Sequence, residues 1–101
     1  MNEPVAFRSV RVPNPQGVHA RPCFQIVQAA IRYRSHIVIE NVVDGNSADA
    51  KSMVDMLTLN APCGTELRII ARGDDANEAV GSLEAVIISG FGEMASDLEV
   101  Q

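Results

Sequence analysis

The chain has no apolar run that approaches the roughly 20 residues needed to cross a membrane, and it begins without the basic and apolar stretches of a signal peptide. It is also short of positive charge. Eight Lys and Arg residues against thirteen Asp and Glu residues leave a net charge of −5 at pH 7. Such a balance disfavours nucleic acid as a partner. We therefore expect a cytoplasmic protein with neither membrane insertion nor nucleic-acid binding.

Cysteine is scarce too, with two residues in the chain. Two cysteines in a cytoplasmic protein are expected to be reduced, which argues against a disulfide. Cys23 falls where a small buried hydrophobe is expected, and Cys63 lies in a turn that contains proline and glycine. His19 and Cys23, four residues apart, could share a metal ion. A structural zinc site needs four ligands, however, and the sequence offers no convincing set, so we expect no metal.

What the chain does contain is enough for one compact unit. At 101 residues there is room for one hydrophobic core, so we expect a single domain over residues 1–101. Strands are predicted where β-branched residues dominate or apolar residues alternate with polar ones, at 5–12, 37–43 and 65–72. In the last strand, Leu67, Ile69 and Ala71 share one face. A turn cluster at 44–47 favours a hairpin after the middle strand.

Two longer helices are predicted from apolar residues spaced by three and four. The apolar stripe of the first consists of Ala20, Cys23, Phe24, Val27, Ala30 and Ile31. This stripe places Phe24 in the core and leaves Arg21 on the polar face. The last helix is predicted to begin at Asp75, with Glu78 as its capping-box partner, and to stop at Gly90. Because helices alternate with strands, a sheet covered by helices on one face is the economical arrangement.

The most distinctive segment is the start of the first helix, Gly17-Val18-His19-Ala20-Arg21-Pro22. Helix starts carry unpaired N–H groups and the positive end of the dipole, and they bind phosphate. The dipole and Arg21 both oppose a positive charge on His19, which keeps a ring nitrogen available for attack. A phosphoryl group on that ring could be held by the N–H groups of Ala20 and Arg21 and by the guanidinium. The alternative is an exposed histidine near a helix end, without a function.

This hexapeptide resembles the active-site signature of the HPr family, the histidine-containing phosphocarriers of the bacterial phosphotransferase system. The resemblance covers about residues 7–93. It includes residues 51–59, which are similar to the family's second helix with its regulatory serine, and the ending at 89–93. The resemblance implies an α+β fold with the order βαββαβα. Such a fold is an open-faced β-sandwich with a four-stranded antiparallel sheet and three helices on one face.

The resemblance also implies a function. His19 would accept a phosphoryl group, through Nδ1, from phosphorylated Enzyme I and pass it to a histidine of an Enzyme IIA domain. Arg21 would stabilise the transferring group, and no cofactor is required. Such a protein is a covalent carrier rather than a turnover enzyme. Two alternatives stay open: a regulatory interaction protein on the same fold, and a carrier of the nitrogen-related branch with no direct part in sugar transport.

The second helix admits two interpretations. Ser52, three residues before Asp55, resembles the start of a capping box and would be the helix N-cap. The family resemblance adds phosphorylation of Ser52 by an HPr-type serine kinase. Asp55 replaces the small or basic residue of many members, and its charge would oppose a phosphate. The apolar residues of this helix, predicted either as core or as a docking patch, are Met53, Met56 and Leu57.

Overall fold

The computed structural model describes residues 3–94 and contains one antiparallel sheet with helices packed on one face. The elements are β1 (Val5–Arg11), α1 (Ala20–Ala30), β2 (His36–Asn41), β3 (Ser47–Asp49), α2 (Met53–Met56), β4 (Glu66–Arg72) and α3 (Ala76–Ile88). A short 3-10 helix, Gly90–Gly92, follows α3. The predicted α+β fold with the order βαββαβα is therefore confirmed. No helix in the described range is long and apolar enough to cross a membrane.

The sheet has the strand order β1-β4-β2-β3, and all neighbouring strands are antiparallel. The three residues of β4 predicted to share a face, Leu67, Ile69 and Ala71, are all buried at 0% exposure. The helices cover this face, and α3 packs along β1 and β4. The opposite face is open to solvent, and Phe7 on β1 is 62% exposed there. The fold is consequently a two-layer sandwich with one uncovered side.

The hairpin predicted after the middle strand is present, but the strand itself is shorter than its apolar run. The β2 strand ends at Asn41, whose side-chain Oδ1 accepts hydrogen bonds from the N–H groups of Val43 and Asp44. These bonds turn the chain and leave Val43 78% exposed. The apolar run therefore continues past the end of the strand into a turn.

The predicted core position of Phe24 is wrong. Its side chain is 54% exposed, as is that of Ile31. The buried face of α1 consists of Pro22, Cys23, Ile26, Val27 and Ala30. At 100° per residue, Phe24 lies about 130° and Ile31 about 110° around the helix from the centre of this face. Both candidate stripes satisfy spacings of three and four, so the spacing alone could not choose between them.

The predicted capping box at the start of α3 is also wrong. Asp75 is the N-cap residue, but its side chain makes no capping hydrogen bond. The carboxylate instead accepts hydrogen bonds from the N–H groups of Arg34 and Ser35 and from the Ser35 hydroxyl. Asp75 thus joins the start of α3 to the loop between α1 and β2, a long-range contact that competes with local capping.

Candidate active site

The loop before α1 is shaped by Gly17. Its backbone has φ = +74°, a region that side chains disfavour, and a Cβ there would lie 2.7 Å from the Ala61 carbonyl oxygen. The close approach allows the Val18 N–H to donate to that carbonyl at 2.8 Å. The loop is thereby held against the segment that leads into β4. Gly17 thus forms a tight turn at the entry to α1, and its N–H donates to the Asn14 carbonyl at 3.1 Å.

His19 is the N-cap residue of α1. Its carbonyl accepts the hydrogen bond from the Cys23 N–H at 2.9 Å, while its side chain makes no capping bond. The imidazole is therefore available for other contacts. Its Nε2 atom lies 2.9 Å from Oε1 and 2.9 Å from Oε2 of Glu93. The His19 side chain remains 39% exposed, so a partner molecule can still reach the ring.

Glu93 reaches His19 because the chain folds back over the start of α1 after α3 ends. The turn depends on positive φ angles at Gly90 and Gly92 and on a left-handed Phe91, whose ring is buried. The Glu93 N–H donates to the Gly90 carbonyl at 2.9 Å, and the Gln25 amide donates to the Phe91 carbonyl at 3.2 Å. The acidic side chain is 6% exposed and is thus buried beside the imidazole.

Asn14 completes a hydrogen-bonded group with His19 and Glu93. Its Nδ2 donates to Oε1 of Glu93 at 2.9 Å and to the Gly17 carbonyl at 2.8 Å. Burial acts to raise the pKa of Glu93. The hydrogen bonds from His19 and Asn14, together with the charges of His19 and Arg21, outweigh that effect and hold the pKa below its usual value. Glu93 is accordingly a carboxylate at neutral pH.

Arg21 lies on the exposed face of α1, one residue inside the helix from Ala20. Its Nη2 atom is 3.9 Å from the position that a Cβ on Gly92 would occupy, so the guanidinium reaches the chain just before Glu93. Ala20 and Arg21 are the first two helical residues, whose N–H groups have no carbonyl partner within a helix. The start of α1 therefore brings a guanidinium and helix-start amides to the side of His19.

A shallow cleft of about 290 Å³ opens beside His19, between the loop before α1 and the end of α2. Its lining includes Gln16, Val18, Leu57, Asn60 and Pro62. Three large apolar side chains are exposed on the two helices: Phe24 on α1 at 54%, Val54 on α2 at 78%, and Leu57 directly after α2 at 53%. The surface around the histidine thus combines an open cleft with one uncovered apolar group, Leu57.

The family model described as "PTS HPr component phosphorylation site" matches residues 7–89. The chain belongs to the HPr family. Its fold agrees with this: the structure of HPr-C-His from Thermoanaerobacter tengcongensis has a TM-score of 0.80 at 34% identity, over 87% of this chain and 97% of that one. The protein is accordingly an HPr-family phosphocarrier of the phosphotransferase system.

Two relatives show the range of proteins that contain an HPr-type chain. The phosphocarrier protein HPr of Treponema pallidum is 40% identical over 88% of this chain and 99% of its own length. The multiphosphoryl transfer protein of Haemophilus influenzae is 38% identical over 81% of this chain. This chain spans only 17% of that second relative. HPr-type sequences therefore occur both as separate proteins and within longer ones.

The second helix begins at Ser52, as the capping prediction required. The Ser52 hydroxyl accepts a hydrogen bond from the Asp55 N–H at 3.1 Å, so Ser52 is the N-cap. The Asp55 carboxylate does not return the bond to Ser52 but accepts one from the Asp49 N–H at 2.7 Å. Met56 is fully buried and Met53 packs partly against the core, whereas Leu57 is exposed beside the His19 cleft. This segment therefore contributes side chains both to the core and to the exposed surface.

The structure brings His19, Ala20 and Arg21 together as the sequence predicted, and it adds Glu93 and Asn14. Neither addition was recognised as a site residue, because Glu93 lies 74 residues after His19 and local spacing carries no information about that contact. The only signal was the glycine-rich ending before Glu93, which indicates a tight turn but not its direction. Cys23 is buried as expected, with its thiol directed at the Met56 carbonyl, and burial raises the pKa of that thiol.

Proposed function

We propose that this HPr-family protein accepts a phosphoryl group on His19 from phosphorylated Enzyme I and passes it to a histidine of an Enzyme IIA domain in the cytoplasm. The observation that carries the proposal is the position of His19. It is the N-cap of α1, one ring nitrogen faces the Glu93 carboxylate, and the side chain is 39% exposed. A partly exposed imidazole at a helix start can both meet a partner and keep the phosphoryl group.

The transfer needs positioning and charge stabilisation more than covalent assistance. The His19 lone pair forms a new N–P bond while the P–N bond of the donor breaks and leaves its electron pair on the donor nitrogen. The guanidinium of Arg21 and the N–H groups at the start of α1 stabilise the negative oxygens. One arginine with two amides holds the group moderately, which suits a carrier that must release it again.

The surface around His19 suits contact with several partner proteins. Leu57 is an exposed apolar residue that lines the cleft containing His19, and Phe24 on α1 and Val54 on α2 are exposed apolar residues as well. Exposed apolar clusters commonly mark protein interaction sites. Ser52 starts α2 on this side, and we propose it as the target of an HPr-type serine kinase. A phosphate there would add charge near the surface on which the partners dock.

Incubation with Enzyme I and phosphoenolpyruvate tests the proposal. One phosphate should be incorporated, labile in acid and stable in base as a phosphoimidazole is. His19→Ala should abolish the labelling, and His36→Ala, which changes an exposed histidine at the start of β2, should leave it unchanged. Labelling that persists in His19→Ala would contradict the assignment. Adding Enzyme IIA domains of the sugar and nitrogen branches to the labelled protein then identifies the acceptor by which domain gains the phosphate.

A further inference from the structure

A second polar cleft lies at the other end of α1 from His19. Its volume is about 370 Å³, larger than the cleft of about 290 Å³ beside His19. The lining comes from three segments: the loop between α1 and β2 with the start of β2, the end of β4 with the start of α3, and Glu3 before β1. The loop follows the C-terminal end of α1, and this helix of 11 residues is about 16 Å long. The cleft is therefore separate from the site around His19.

One side of this cleft, formed by Arg34, His36 and Arg72, is basic. Arg72 is the last residue of β4, and its partner in the register with β2 is His36. Residues paired across antiparallel strands lie on the same face of the sheet, with Cβ atoms about 5 Å apart. Arg34 lines the same cleft two residues before His36, and all three side chains are exposed. Two guanidinium groups and an imidazole can thus converge on one carboxylate, which guanidinium groups bind through two parallel hydrogen bonds.

The other side of the cleft, formed by Glu3 and Asp74, is acidic. The pairing of β1 with β4 continues past Arg72, because the Gly73 N–H donates to the Pro4 carbonyl at 2.9 Å. Glu3 and Asp74 are the next residues along the two segments, and both are exposed. Two residues of extended chain advance by up to about 7 Å. The acidic side is therefore offset from the basic side by several ångströms.

The opposite charges in this cleft do not pair with one another. Three arginines on other surfaces each lie 3.6–3.8 Å from a glutamate oxygen. Among residues 3–94, by contrast, Arg34 and Arg72 form no ion pair, although three carboxylates line the same cleft. One of the three, Asp75, is already occupied by its hydrogen bonds to the backbone of Arg34 and Ser35. The basic side and the acidic side are thus both available to a ligand.

The backbone under the cleft is held in place by two sets of contacts. Gly73 has φ = +147°, and a Cβ there would lie 2.7 Å from Oγ and 2.9 Å from Cα of Ser35. The Asp75 carboxylate accepts from the Arg34 N–H at 2.8 Å and from the Ser35 N–H at 2.9 Å. Both sets fasten the loop that carries Arg34 to the end of β4. The cleft is therefore formed before a ligand enters, which lowers the entropy that binding must spend.

We propose that this cleft binds a small amino acid, with the carboxylate of the ligand on the basic side and its ammonium group on the acidic side. A simple anion would be attracted by the guanidinium groups and repelled by Glu3 and Asp74, and a simple cation would meet the reverse. An amino acid whose two charged groups lie several ångströms apart makes charge-assisted hydrogen bonds on both sides. Because the charged groups of the cleft are exposed, the binding is weak, with a Kd on the order of 1 mM.

Titration of the full chain with 5-aminopentanoate, followed in ¹H–¹⁵N NMR spectra, tests the proposal. The amide signals of His36, Gly73 and Asp74 should shift to saturation, and those of Ala20 and Arg21 at the start of α1 should stay in place. Pentanoate and pentylammonium each lack one of the two charged groups of this probe. Each should bind more weakly by on the order of tenfold or more. If either binds as tightly as 5-aminopentanoate, the cleft takes a simple ion and the proposal is wrong.

Four exposed positions provide the variants for the same titration. Arg72→Gln and Asp74→Asn each remove one charge of the cleft and should weaken binding of 5-aminopentanoate by on the order of tenfold. Arg32→Gln and Asp44→Asn remove the same charges outside the cleft and should bind as native protein does. The spectra of the free variants show whether each is folded. Native affinity in either cleft variant would overturn the proposal, as would the absence of saturable shifts in native protein up to about 100 mM probe.

Discussion

A single imidazole in a phosphocarrier must attack a phosphoryl group and later release it. In this protein the two sides of the His19 ring have different surroundings. Nε2 faces the buried carboxylate of Glu93, and we propose that Arg21 and the start of α1 hold the phosphoryl group. Because Arg21 is exposed, its charge is available to a ligand and contributes little to folding. The residues around His19 can therefore be substituted one at a time, and the substitutions should affect phosphoryl transfer and stability to different extents.

Arg21→Ala should slow phosphoryl transfer by on the order of a hundredfold, the usual cost of removing a donor that stabilises transition-state charge. The free energy of unfolding should change by less than about 0.5 kcal/mol, because the side chain is on the surface. Rapid-quench transfer from Enzyme I and urea unfolding measure the two quantities. Arg32→Ala, an exposed arginine just beyond the other end of α1, should affect neither. Native transfer rates in Arg21→Ala would refute the role.

Gly17→Ala should destabilise the protein and impair the site together. The substitution combines a positive φ with contacts of 2.7 Å to the Ala61 carbonyl oxygen and 2.8 Å to the Pro62 Cα. We expect a loss of about 2 kcal/mol or more in the free energy of unfolding, in the range of local backbone strain. Gly45→Ala is the matched control, since φ is +79° but no atom lies within 4 Å. It should cost about 1 kcal/mol and leave transfer intact. If both variants lost the same free energy of unfolding, the close contacts at Gly17 would have no steric effect.

At the scale of the elements, two helix starts carry the candidate functions, and they differ in how they are capped. The α1 helix begins at His19, whose side chain is left free of capping and turns to Glu93. The α2 helix begins at Ser52, whose hydroxyl is engaged by the Asp55 N–H. A phosphate on Ser52 would therefore have to replace this bond, and Asp55 would be close to the added charge.

Ser52→Ala should transfer phosphate normally and lose about 1 kcal/mol of stability, the typical value of an N-cap. Ser52→Asp should slow acceptance of phosphate from Enzyme I, because the added charge lies on the docking side of the molecule. Labelling with ATP and an HPr-type serine kinase tests the site directly, and the product should be stable in acid. Asp55→Gly should be labelled better than native protein if the acidic residue opposes phosphorylation. If the kinase labels neither protein, Ser52 is a cap only.

The sequence was informative where structure is local and uninformative where distant segments meet. The alternation in β4 correctly predicted which residues share a face of the strand, because this depends only on neighbouring residues. Phe24 was misplaced because two helical stripes overlap and only packing against the sheet selects one. Asp75 was misassigned because its capping role competes with hydrogen bonds to a loop 40 residues away.

At the scale of the whole molecule, the loop between α1 and β2 is fastened to α3 through one carboxylate. Asp75 accepts hydrogen bonds from the Ser35 hydroxyl and from the N–H groups of Arg34 and Ser35. The bond from the Ser35 hydroxyl is the main cause that lowers the pKa of Asp75, and the bond from the Arg34 N–H adds to it. The contact lies beyond the C-terminal end of α1, far along the helix from His19. Loss of this contact should lower the stability of the protein more than it slows phosphoryl transfer.

The pH dependence of stability should reveal this contact. A carboxyl group whose pKa is lowered in the folded state stabilises the protein above its unfolded pKa of about 4, and the stabilisation is lost as pH falls through the folded value. Asp75→Asn should therefore lower the melting temperature at pH 7, and the difference from native protein should shrink towards pH 2.5. Asp74→Asn, which changes the exposed neighbouring carboxylate, should follow the native curve in parallel. A pH-independent difference for Asp75→Asn would contradict the prediction.

The contact between Glu93 and His19 also sets an order of events during synthesis of the protein. A chain that leaves the ribosome N-terminus first exposes His19 and Arg21 some 70 residues before Glu93 follows. Until the turn at Gly90–Gly92 forms, Arg21 is present near the imidazole, but the Glu93 carboxylate is not. Nascent chains, and chains cleaved by a protease after Ile88, should thus expose His19 without the hydrogen bond to Glu93. Synthesis of the segment that carries Glu93 is in this sense the last step that places a carboxylate beside the imidazole.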